Sequence, residues 1–132
     1  MKYLFTLVIA VLLIGCKRGS TEISRTIQNS SQDTLHFELL YSNSQGTASL
    51  VLFPGDIYNL RELPQYSGEP ENESIYPAQD IEELIIIGSN NDTLKRDYKC
   101  GCEWLTNITR KRNKGYDYKH TYLFEIVDKD FD

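Results

Sequence analysis

The sequence predicts an all-β domain, an antiparallel β-sandwich of seven to nine short strands. Three observations carry this reading. Apolar and polar residues alternate with period two in several runs. Clusters of Gly, Pro, Asn, Asp and Ser recur about every ten residues, as turns between short strands do. No run after the leader carries a convincing amphipathic helical stripe, and short strands between regular turns pack as sandwiches or barrels. The 132-residue length suits one domain with a genuine core.

The elements follow in order. Lys2 is a positive start, and Leu4 to Ile14 is apolar apart from Thr6. Eleven helical residues rise only about 16 Å, too little for a hydrocarbon core of about 30 Å. That length suits the helix of a signal peptide. Leu13-Ile14-Gly15-Cys16 then resembles the lipobox of bacterial lipoproteins. The resemblance implies cleavage between Gly15 and Cys16, a diacylglycerol on the Cys16 thiol and an acylated new amine. Two or three chains anchor stably where one does not. Lys17, in place of an aspartate, favours delivery to the outer membrane.

Residues 16–22 read as a polar tether and 23–132 as the sandwich domain. A first strand is expected over Ile23–Gln28, and a clear one over Thr34–Ser42, with Leu35, Phe37, Leu39 and Tyr41 on one face. Thr47–Phe53 is apolar enough for a central strand, ended by Pro54-Gly55-Asp56, and Ile57–Leu60 follows as a short strand. Glu62 to Asp80 holds three of the four prolines and reads as a long connection, with Ile75-Tyr76 as a brief edge strand. Ile81–Ile87 is ambiguous: its start could be helical, while three consecutive isoleucines before a polar turn favour a buried strand, with Thr93–Tyr98 as its hairpin partner. Trp104–Arg112 reads as a strand or a single helical turn, and Tyr118–Val127 as a strong last strand. A short tether leading into this strand series looks like the small lipoproteins of the Bacteroidota that carry immunoglobulin-like sandwiches. The Cys–Trp–Cys spacing of true immunoglobulin domains is absent.

Charge narrows the partners. Without residues 1–15 the chain has 13 bases and 19 acids, a net −6. That balance argues against nucleic acid and against adhesion to anionic lipid through charge, leaving the acyl chains as the membrane contact. Glu62 to Leu94 holds eight acids and no base; Lys95 to Lys119 holds eight bases and three acids. Solvated loops produce such asymmetry, and so do binding faces. As a binding reading, the acidic segment Glu69, Glu71, Glu73 and the basic turn Arg110, Lys111, Arg112 are the candidates, with a neighbouring envelope protein or a glycan as partner. Trp104 is the candidate exposed anchor, against the alternative of a buried tryptophan filling the sandwich.

With Cys16 acylated, Cys100 and Cys102 remain, an even number in an oxidising compartment. A local disulfide bent at Gly101, inert thiols and a redox role all stay open. Together with His36 and His120 the pair makes a Cys₂His₂ set, which suits zinc chemically but not in spacing. Asp33-Thr34-Leu35 and Asp92-Thr93-Leu94 match the Asp-Thr-aliphatic pattern for O-glycosylation in the Bacteroidota, with Thr34 and Thr93 as acceptors; the alternative is a polar turn entering a strand. There is no Gly-x-Ser-x-Gly and no phosphate loop, and Glu82 and Glu83, adjacent on a strand, should point to opposite faces. The chain is therefore read as a non-enzymatic binding or assembly protein without a cofactor. An inhibitor or immunity lipoprotein against a basic enzyme such as lysozyme is one rival; a redox or zinc protein using Cys100 and Cys102 is the other.

Overall fold

The computed structural model describes residues 20–44, 46–63, 66–67, 76–111 and 117–131. The leader 1–15 with its cleavage site, Cys16, Glu69, Glu71, Glu73, Ile75 and Arg112 lie outside the described residues, as do the side chains of Arg110 and Lys111. Eight strands appear among the described residues: β1 (Ser20–Asn29), β2 (Leu35–Tyr41), β3 (Thr47–Leu52), β4 (Ile57–Asn59), β5 (Tyr66–Ser67), β6 (Ile81–Ile87), β7 (Leu105–Lys111) and β8 (Asp117–Ile126). Three short 3₁₀ turns accompany them, and no described helix is long and apolar enough to cross a membrane.

Period-two patterning explains the layers. In β2, Leu35, Phe37, Leu39 and Tyr41 are buried while His36 and Glu38 face out. In β8, Tyr118, His120, Tyr122, Phe124 and Ile126 are buried, and Ile23 and Ile27 of β1 join them. One sheet has the order β4-β1-β8-β7, with β5 beside the start of β1; the other has the order β3-β2-β6. They pack face to face over one core, where Phe37 meets Tyr58 across the interface at 5.0 Å between ring centres. Full burial of each such side chain contributes about 1.5–3 kcal/mol.

The structure departs from the sequence reading in six places. The sandwich is not wholly antiparallel, because β1 and β8 run parallel from Thr21↔Tyr118 to Asn29↔Ile126. Their shared apolar period makes them the adjacent central strands of one sheet. β1 also begins at Ser20, so it takes in residues assigned to the tether. β3 is an edge strand, not a central one, and Val51 and Phe53 are exposed. Residues 93–98 form no hairpin strand; only Thr93 bridges Ile87, and the hydroxyl of Tyr98 accepts from Leu84 N (3.2 Å) and donates to Glu82 O (3.4 Å), covering the edge of β6 in a strand's place. A register shift opposite Leu40/Tyr41 leaves both Glu82 and Glu83 exposed rather than on opposite faces. The expected edge strand at Ile75-Tyr76 is not seen at Tyr76; the short strand of the long connection is β5.

One buried side chain ties that connection down. Arg25, on the inner face of β1, pairs with both oxygens of Asp80, at 2.5 and 3.0 Å, and donates to the carbonyls of Pro77 (2.7 Å) and Arg61. It therefore ties Arg61 on one side of residues 64–75, and Pro77 and Asp80 on the other, to the sheet.

Candidate functional site

β1, β3, β6 and β8 all end, and β2 and β4 both begin, at the sandwich end opposite Ser20. Four loops meet there: 30–34, 53–56, 88–92 and 127–131. They carry Asp33, Asp56, Asp92, Asp128 and Asp130 against one base, Lys129. Asp130 is buried and paired with Arg96 (3.1 Å).

The loop 53–56 is a tight turn. Pro54 presets one dihedral, Gly55 supplies a positive φ of 88°, and Asp56 N donates to Phe53 O at 3.0 Å. The Asp56 carboxylate accepts from Phe53 N (2.8 Å). The turn is pinned from beneath by Asn29, which is fully buried. Its amide donates to Leu52 O (3.0 Å) and Asp33 O (2.8 Å), its side-chain oxygen accepts from Ser31 N and Oγ, and its backbone exchanges bonds with Gly55 N and Asp56 O. Above this support Phe53 is 59% and Ile57 58% exposed. Large apolar side chains presented on a pinned backbone spare a partner the cost of ordering the loop.

At the same end of the sandwich lies an open groove of about 300 Å³ lined by Gln32, Asp33, Ser89, Asn90, Asp92 and Asp128, with Phe131 at its wall. Asp33 accepts from Ser89 N (2.9 Å) and Thr34 N (3.1 Å), and Asp128 accepts from Gln32 N (2.8 Å). The bonds from Ser89 hold the Asp33 carboxyl below its ordinary pKa, so it stays charged. The groove offers acceptors and negative charge at the end of the sandwich that also carries the apolar tip. That chemistry recognises donors and cations set next to apolar surface.

The sequence-predicted sites scatter. Trp104 is not an exposed anchor: it is 4% exposed, its Nε1 donates to Tyr98 O (2.8 Å), and its ring lies 5.2 Å from that of Phe124. Arg110 and Lys111 close β7 at the opposite end of the sandwich, beside Asp117 and Tyr118. Cys100 and Cys102 form a disulfide, with α-carbons 5.2 Å apart. His36 faces out from one sheet and His120 is buried under the other, so the Cys₂His₂ set does not converge; among the described residues no three His, Cys, Asp or Glu do. Thr34, half-buried, and Thr93, exposed, both flank the acidic end. Sequence reasoning missed Asn29, Phe53 and Ile57. The available signal was the Pro-Gly turn between two large apolar residues, which alternation alone assigns to strand interiors.

No family model, no curated protein and no solved structure matches the chain.

Proposed function

We propose that the chain is a lipid-anchored protein of the bacterial cell envelope, carried to the outer membrane by acyl chains on Cys16. In this reading its sandwich, of the immunoglobulin-like lipoprotein kind, is a non-catalytic recognition module for a neighbouring envelope protein. The lipobox supports the anchor. Only four residue steps separate Cys16 from Ser20, a reach of at most about 14 Å. The N-terminal end of β1 would then sit close to the bilayer. The Phe53–Ile57 turn, beyond ten strand residues of about 3.3 Å each, would project about 30 Å further out.

The observation that carries the reading is that outward turn: two large apolar side chains presented on a hydrogen-bonded turn, at the end of the sandwich that also carries the acidic loops. The partner it fits has a basic rim around an apolar pocket. A basic enzyme fits the same description, so an inhibitor role is the second reading, favoured by the same acidic end.

Two measurements test this. Mass spectrometry of the protein from membranes should find a chain beginning at acylated Cys16; a free Cys16 thiol rejects the anchor. Cross-linking in native membranes should capture a basic partner with the wild type and lose it with the Phe53→Ala/Ile57→Ala double variant. Hot-spot truncations of this kind weaken binding about 30-fold or more. Capture should fall steeply between low and physiological salt. Equal capture by wild type and double variant rejects the surface.

A further inference from the structure

We propose that Cys100–Cys102 is a thiol–disulfide exchange site for extended polypeptides that bear cysteine. The bond spans a sequence separation of two. A ring that small removes little freedom from the unfolded chain and does little for the fold. Exposed disulfides are the ones that exchange. Cys102 is exposed and Cys100 half-buried, so the two sulfurs are not equivalent.

Geometry around the pair favours attack at Cys102. Its side chain borders an open groove of about 420 Å³ with Leu105 and Val127 on the apolar side and Glu103, Glu125 and Lys129 on the polar side. The sulfur of Cys100 accepts the Cys102 backbone N–H at 3.3 Å, an arrangement that stabilises Cys100 as the leaving thiolate.

A second, separate feature indicates the kind of substrate. β7 begins three residues after Cys102 and is the last strand of its sheet, with no described strand on its outer side. Leu105 to Thr109 are all exposed, and Leu105 is 60% exposed. Such an edge pairs with an extended chain through backbone hydrogen bonds. A polypeptide added there brings its own cysteine towards Cys102.

The exchange balances. A substrate thiolate attacks Sγ of Cys102; the Cys100–Cys102 bond breaks, and its electron pair leaves on Cys100, which takes a proton from water. A second thiolate of the substrate attacks the substrate sulfur of the mixed disulfide and expels Cys102 as a thiolate, which is also protonated. Two substrate thiols have become a disulfide and the protein pair is reduced. Exchange with a low-molecular-weight disulfide restores it.

The test uses the full chain purified without its leader and carrying Cys16→Ser, so that Cys100 and Cys102 are its only cysteines. Single-cysteine variants Cys100→Ser and Cys102→Ser are mixed with the symmetrical disulfide of a β-branched peptide carrying one cysteine, and with oxidised glutathione. Mixed disulfide is read by mass. Cys100→Ser, which keeps the exposed sulfur, should trap the peptide about tenfold faster than Cys102→Ser. Leu105→Glu in the Cys100→Ser background should slow peptide trapping several-fold and leave glutathione trapping unchanged. Equal trapping by the two cysteine variants overturns the site, and equal loss for peptide and glutathione overturns the strand-edge substrate. The doubly substituted Cys100→Ser/Cys102→Ser chain should melt within about 3 °C of wild type; a loss of about 10 °C or more makes the bond a structural staple and overturns the proposal.

Discussion

Asn29 shows how one side chain can hold a surface. It meets two carbonyls with its amide and one serine with its oxygen, all away from water. Replacement by Leu leaves those carbonyls unsatisfied, and denaturant unfolding should lose about 3 kcal/mol. Asn29→Asp is harsher at neutral pH, because a carboxylate oxygen would face Leu52 O and Asp33 O; its deficit should shrink as the buffer is acidified. His120 gives a second residue-scale prediction. It is buried between Tyr118 and Tyr122, with Nδ1 3.0 Å from the Tyr122 hydroxyl and no partner for Nε2 among the described residues. Burial lowers its pKa below the ordinary 6.5. Below about pH 6.5 the unfolded imidazole therefore takes a proton that the folded one refuses, and stability falls as pH drops towards the folded pKa. Melting temperature should decline from pH 7.5 to 5, and His120→Leu should flatten that slope. Asp33 acts in a separate window: its lowered pKa contributes stability above the ordinary 3.8, lost on further acidification.

At the scale of elements, legibility follows whether one local signal decides the outcome. β2 and β8 were readable because long β-branched and aromatic alternation admits one register against a core, whereas β6 was readable only through three consecutive isoleucines ahead of a turn. β3 was readable as a strand but not as an edge, because position in a sheet is set by partners distant in sequence. Residues 93–104 were opaque for the same reason. Their conformation comes from Arg96 reaching Glu103 (2.7 Å), Asp130 and the face of Phe124, and from Tyr98 bonding β6. The long connection was visible through its prolines, yet the residue that anchors it, Arg25, looked like an ordinary strand charge. Its role makes a sharp expectation. Arg25→Met removes the cation and leaves Asp80 and two carbonyls without their donor, so global unfolding should lose about 3–5 kcal/mol. Arg25→Lys keeps the charge but cannot serve Asp80 in bidentate fashion and should recover less than half of that. Limited proteolysis should cut both variants between residues 63 and 76 faster than the wild type.

For the whole molecule, the parallel pairing of β1 with β8 joins the two ends of the described chain. Thr21 lies against Tyr118 and Asn29 against Ile126, so the central contact of the larger sheet closes almost the entire sequence into a loop. The loop must close before its contacts compensate for the lost freedom, and domains rich in such non-local pairings fold in milliseconds to seconds. The rest of that sheet depends on this pair. Without β8, β7 has no partner, and β1 keeps only the short strands β4 and β5. The acidic end depends on it too, because Asp128, Asp130 and Phe131 follow β8 directly and hold the loops at Gln32 and Gly88. A chain ending at residue 116 should therefore show neither the near-ultraviolet signature of a packed Trp104 nor cooperative unfolding. Adding residues 117–132 in trans should restore both only at high peptide concentration. A truncated chain that still melts cooperatively would mean that the three-stranded sheet folds alone. β8 would then be a late addition rather than the strand on which recognition surface and core both depend.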